Sequence, residues 1–192
     1  MSNFDHFDFL APHYERFIQP KDPQQMRRLT GLPVEGAFLD AGGGTGRVAQ
    51  FMVGLANPII VADLSLKMLG EARAKSGLLA ACSASEHLPF PTHFFARIIM
   101  VDALHHVIDQ KKTILELWRT LKPGGLLVIE EPDLRIFTVK LLALAEKLAL
   151  MRSHFLSPPA IVNMFKDLGA KVSTEVDGFN AWVVVEKPSD LI

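Results

Sequence analysis

Phe38-Leu39-Asp40-Ala41-Gly42-Gly43-Gly44-Thr45-Gly46 decides how this chain is read. A short apolar run ends in an acid and passes into a glycine-rich turn, and the spacing predicts a helix from Arg47 to about Val53. Gly42, Gly44 and Gly46 follow a G-x-G-x-G pattern. Glycine lacks Cβ and turns readily with φ > 0, so a ligand can approach the main chain there. A helix behind such a turn offers unpaired N–H groups and a partial positive charge. Close packing of a helix on a sheet also uses glycines in this way. The turn therefore indicates a polar ligand without naming it. The dinucleotide fingerprint is G-x-G-x-x-G, and here the third glycine comes one residue early.

Outward from the turn, strands and helices alternate. Ala37–Asp40 reads as the first strand and Pro58–Ala62 as a second, buried on both faces. Ser65 is placed to cap a helix over Leu66–Lys75, which Gly77 ends. Further strands are expected at Leu78–Ala81, Ala96–Val101 and Leu126–Glu130, with an amphipathic helix at Lys111–Leu121. Lys171–Val176 and Ala181–Glu186 flank an Asp177-Gly178 turn signal and predict an antiparallel hairpin. The fold class is α/β, Rossmann-like, with a mostly parallel twisted sheet and helices on both faces. The chain of 192 residues suits a single domain. Its expected parts are an N-terminal helical cover (1–33), a ligand-binding core (34–131), a helical lid (132–168) and the hairpin (169–188).

Composition narrows the function classes. Formal net charge is −1 and no basic run stands out, so no nucleic-acid partner is expected. The lone cysteine, Cys82, excludes a disulfide framework and a cysteine-based metal cluster, and reads as a small buried apolar residue. No uncharged apolar run reaches the roughly 18 residues of a membrane span. The N-terminus is acidic and aromatic, unlike a signal peptide, and a cytoplasmic location is the expectation.

Asp63 ends the second strand, 21 residues beyond Gly42. In parallel α/β sheets, ligands sit beyond the carboxyl ends of the strands. A carboxylate there can accept hydrogen bonds from both hydroxyls of a ribose. Helix capping is its alternative task. A nucleoside-containing ligand is expected, either a nicotinamide or flavin dinucleotide or S-adenosylmethionine.

Five segments then resemble, in register, the class I S-adenosylmethionine-dependent methyltransferases of the ubiquinone/menaquinone-biosynthesis branch. They are Phe7–Tyr14, the turn Leu39–Gly46, Ala62–Leu69, Glu86-His87-Leu88-Pro89-Phe90, and Leu121-Lys122-Pro123-Gly124-Gly125. The resemblance covers roughly residues 7–131 and implies methyl transfer from S-adenosyl-L-methionine to a small-molecule acceptor. It implies that Asp40, Ala41 and the Gly42–Gly44 backbone hold the methionine moiety and Asp63 the ribose. Leu64 and Met68 would flank the adenine, Tyr14 would close over the carboxylate end, and Asp102 would line the site near the reactive methyl.

In one place the sequence departs from the family pattern. The family has Asp ahead of the E-x-L-P-F segment to receive the adenine amino group, and Ala84 stands there, between Ser83 and Ser85. Ser83, Ser85 or water must supply that bond, or it is lost. A non-catalytic S-adenosylmethionine-binding or sensor protein is the alternative this departure keeps open. His105 and His106 follow Asp102 on the ligand side and are the candidate general bases, with His154 a further candidate. The acids Glu130, Glu131 and Asp133 read as loop and helix-start residues, and no metal is expected. The apolar stretch 134–155 is expected to be a long helix. It either packs on the sheet or on a second copy in a homodimer, or forms a lid over a lipophilic acceptor.

Overall fold

The computed structural model describes residues 23–136 and 154–189. Tyr14, the rest of the leader and most of the 134–155 stretch lie outside the described residues. Helix α1 (Pro23–Leu29) precedes strand β1 (Ala37–Ala41) and β2 (Ile59–Asp63). Then come α2 (Leu66–Ala74), β3 (Leu78–Cys82), β4 (Phe95–Val101), α3 (Gln110–Thr120) and β5 (Leu121–Pro132). The chain closes with α4 (Pro158–Asn163), β6 (Lys171–Asp177) and β7 (Asn180–Glu186).

The sheet has seven strands in the order β3-β2-β1-β4-β5-β7-β6. The pairs β1–β2, β1–β4, β2–β3 and β4–β5 are parallel, and β7 runs antiparallel to β5 and β6. Strand order reverses between β1 and β4, which opens a crevice at their carboxyl ends. The expected Rossmann-like α/β fold with its C-terminal hairpin is present. The hairpin turns through Gly178, at φ +58°, and Phe179, so each strand gains one residue over the expected span.

All five residues of β1 are buried, and alternation divides them between two cores. Leu39, Ala41, Ile60 and Ile98 pack with Ile114 and Leu117 of α3 and Ile161 of α4. Phe38, Val61, Ile99 and Val128 pack with Met26 and Leu29 of α1 and Leu69 and Ala72 of α2. Caps fix where the helices begin. Ser65 Oγ accepts from Met68 N–H at the start of α2, and Asp109 accepts from Lys112 N–H at the start of α3.

Three expectations change. The helix after the glycine turn is one 3₁₀ turn, Ala49–Met52. Gly54 at φ +83° and the Val53–Ala56 bridge leave no room for an α-helix before β2. Toward the end of the helical part expected over 132–168, the described helix spans only Pro158–Asn163, and it starts on Pro158 because proline suits the first helical turn. Strand β5 begins at Leu121 and runs through Lys122-Pro123-Gly124-Gly125, with an irregular register against β4 between Phe95 and Arg97.

Candidate functional site

The glycine turn is more self-contained than a helix-backed loop. Gly42 and Gly43 N–H donate to Ala62 C=O at 2.8 and 3.3 Å, and Gly46 N–H donates to Gly43 C=O at 2.9 Å. Gly44 N–H donates to Asp63 Oδ2 at 2.9 Å, and Ser65 N–H to Asp63 Oδ1 at 2.8 Å. The turn's own glycine N–H groups are thus engaged within the protein, and the short 3₁₀ turn behind them supplies little dipole. Asp63 ends β2 beside the turn, and its carboxylate accepts from the main chain on both sides of it, while Ser65 caps the helix. A carboxylate oxygen can accept more than one hydrogen bond.

The structure draws the other candidates to the same end of the sheet. Asp40, 1% exposed, lies under the turn, its carboxylate close against Gly43. Its Oδ2 is buried without a hydrogen-bond partner among the described residues. Burial pushes the Asp40 carboxyl up to about 7, opposed by the Arg47 guanidinium and a bond from Ala49 N–H. Met68 is buried and Leu64 is 66% exposed. A Cβ on Gly44 would meet only Asp63 Oδ2 and Met68 Sδ, both at 3.9 Å. Just after β3, Ser83 N–H donates to Asp63 C=O at 3.0 Å, and Ser83 Oγ is buried without a partner among the described residues. Ser85 is buried too. Cys82, expected to be buried, is exposed at the edge strand.

Asp102 sits after β4 at φ +51°, a left-handed conformation that Asp tolerates better than most residues. Its N–H donates to Glu130 C=O at 3.0 Å, and its carboxylate pairs with Arg47 at 2.9 Å. Sequence reasoning missed Arg47. It is 6% exposed, and its only sequence signal was a long cation directly after a glycine turn. Glu130 is raised above the usual carboxylate range by burial and by Asp102, although Asn180 Nδ2 donates to it at 2.6 Å.

Beyond Asp102, His105 and Glu131 are joined. Glu131 Oε2 accepts from His105 Nδ1 at 2.5 Å and Oε1 accepts from Leu104 N–H at 2.7 Å. The His106 ring lies 3.9 Å from the His105 ring, and the Phe155 ring stacks on His105 at 4.2 Å. Burial and His105 push His106 down to about 3. His154 is exposed, and its main chain is tied to this cluster: its N–H donates to His105 C=O at 2.7 Å. The adjacent acids diverge, Glu131 to His105 and Asp133 to Arg135 at 2.7 Å. Among the described residues no three His, Cys, Asp or Glu side chains group to hold a metal. A cavity of about 500 Å³ lined by Pro33, Gly36, Gly54 and Asn57 lies at the amino ends of β1 and β2, opposite this site.

The residues present fit a nucleoside carrying an amino-acid tail. They offer a buried acceptor oxygen on Asp40, a second carboxylate on Asp63, and a cradle at Gly44 that a Cβ would fill. No described helix is long and apolar enough to cross a membrane.

Comparison with known proteins agrees with this geometry. Residues 39–129 match a family model described as a methyltransferase domain. The chain is 39% identical over 103 residues to the ubiquinone/menaquinone biosynthesis C-methyltransferase UbiE of Pectobacterium carotovorum, a match covering 48% of this chain. It spans 41% of that relative's length. In fold it is similar to an S-adenosylmethionine-dependent methyltransferase of Thermotoga maritima, with TM-score 0.77 at 21% identity, over 94% of this chain and 98% of the other. It is similar also to DhpI, solved as a complex with S-adenosylhomocysteine, with TM-score 0.74 at 16% identity, over 95% and 94% of the two chains. Residues 39–129 are thus similar to a methyltransferase domain, and the fold is the Rossmann-like α/β fold of these solved structures.

Proposed function

We propose that this protein transfers a methyl group from S-adenosylmethionine to a small, lipophilic acceptor that gives up a proton in the reaction. The observation that carries the reading is the pair of carboxylates, Asp40 and Asp63, on either side of the glycine turn, with Asp40 Oδ2 buried and unpartnered among the described residues. In this reading Asp40, Ala41, Gly42 and Gly44 hold the amino-acid end, Asp63 the ribose, and Leu64 and Met68 the base. S-adenosylmethionine, when bound, supplies a methyl already activated by the sulfonium. The chain then has to orient the acceptor, exclude water and take a proton.

His105 is the proton acceptor in this reading and Glu131 its positioning partner, because the bond to Nδ1 fixes the tautomer and directs basicity to Nε2. Asp102, paired with Arg47, lines the methyl end. The quinone-biosynthesis role printed for the UbiE relative supports a quinone precursor as acceptor, as does the apolar 134–155 stretch. Calorimetric titration with S-adenosylhomocysteine and with NAD tests the cofactor: the first binds and the second does not. A radiolabelled-methyl screen of phenolic and quinol acceptors tests the activity. Binding without transfer to any acceptor favours the sensor alternative.

A further inference from the structure

The sheet order sets where a bound nucleoside must lie. Its tail belongs over the β1 turn and its ribose at Asp63 on β2, so its base points toward β3, the next strand outward. Cys82 ends β3 in register with Asp63, and Ser83 follows, its N–H bonded to the Asp63 carbonyl at 3.0 Å. Ser83 Oγ is therefore the first side-chain polar atom beyond the strand end on the base side. It is buried, with no hydrogen-bond partner among the described residues. A buried hydroxyl in that state is costly, and the polar edge of a ligand removes the cost. The side chain of the neighbouring residue, Ala84, is only a methyl group.

A carboxylate at this place would only accept hydrogen bonds and would select a base that donates, as an amino-purine does. A hydroxyl both donates and accepts. We propose that the Ser83 hydroxyl contacts the edge of the cofactor's purine, and that the site consequently takes 6-oxo purines nearly as well as 6-amino purines. The proposal rests on the methyltransferase reading above.

The test is calorimetric titration of the full chain with S-adenosylhomocysteine and with its 6-oxo analogue, S-inosylhomocysteine. For the wild type the two affinities are expected within about threefold, since one neutral hydrogen bond is kept in either case. Ser83→Ala should weaken both by about threefold to tenfold, the worth of one such bond. Ala84→Asp should restore preference for the 6-amino compound by about tenfold or more, because a carboxylate repels the 6-oxo group. A wild-type preference above about thirtyfold for the adenosyl compound overturns the proposal, as does unchanged binding of both compounds to Ser83→Ala. The wild-type ratio stands even if a variant fails to fold. Failure of the adenosyl compound to bind at all overturns the methyltransferase reading itself. That outcome is distinct from loss of the Ser83 contact, in which the adenosyl compound binds and the inosyl compound does not.

Discussion

Glu131, at the end of β5, grips His105, just after β4, through a 2.5 Å bond between side chains only 4% and 5% exposed. The other oxygen of Glu131 accepts from Leu104 N–H, so one carboxylate fixes both the ring and the backbone that carries it. A buried pair of this kind is expensive to break from one side. Glu131→Ala should cost about 3–5 kcal/mol of folding stability, and Glu131→Gln, which keeps an acceptor, clearly less. Urea unfolding measures both. An Ala variant as stable as the wild type would mean that the pair is not held together in solution.

The catalytic part of the pair has its own readout. His105→Asn should lower turnover by about 10²–10⁴-fold, the usual worth of a general base. Affinity for S-adenosylhomocysteine should stay unchanged, because no cofactor-holding role falls to His105. Equal losses in turnover and cofactor affinity would assign His105 a structural task.

Asp40 should make cofactor binding pH-dependent. Its carboxyl is raised to about 7 in the ligand-free protein. A cationic α-ammonium group prefers the ionised form, so a proton must leave before binding below that pH. Affinity for S-adenosylhomocysteine should therefore rise from pH 6 to pH 8 and then level off. Asp40→Asn should abolish the rise. Arg47→Met should move its midpoint upward, since the guanidinium holds the carboxyl down. A flat titration for the wild type would contradict this.

Asp40 and His106 should tilt the stability profile in opposite directions. The raised Asp40 carboxyl keeps its proton in the folded protein after the unfolded chain has lost it. Its contribution is full below pH 3.8 and is lost as pH rises to about 7. His106 is held neutral down to about 3, so the unfolded chain takes up a proton first as pH falls below 6.5. Its contribution is full above pH 6.5 and is lost as pH falls toward about 3. Asp40→Asn should steepen the net loss of stability on acidification between pH 6.5 and 4, and His106→Gln should reduce it. Urea midpoints across that range decide it.

The glycines of the turn should separate by role. A Cβ on Gly43 would come within 2.4 Å of Asp40 Cγ, so Gly43→Ala should cost about 1–3 kcal/mol through overpacking. On Gly44 the same methyl meets protein atoms only at 3.9 Å, though at φ +55°. Gly44→Ala should lose more in cofactor affinity than in thermal stability, because the methyl stands where the ligand would lie. Thermal melts and calorimetry on the two variants make the comparison.

The fold was largely legible in the chain because its signals are local. Ile59-Ile60-Val61 and Ile98-Ile99 are apolar without alternation, as strands buried on both faces must be. Ser65 and Asp109 sit where helices need a cap, and Asp177-Gly178 sits where a hairpin needs a turn. The helix placed after Gly46 did not form as drawn, because Gly54 and the approach to β2 set its length, and local propensity does not see that constraint.

By itself, the sequence determined the glycine turn, the strand-end carboxylates at Asp40 and Asp63, the histidine pair after β4 and the methyltransferase resemblance. These are properties of residue type and spacing along the chain. Only the tertiary structure decided which of them meet. Arg47 finds Asp102 across 55 positions, His105 finds Glu131 across 26, and the turn spends its N–H groups on Asp63 and Ala62. Such partnerships depend on sheet order and register, which bring distant strand ends within hydrogen-bond reach, and on burial, which shifts Asp40 and His106 from their ordinary values.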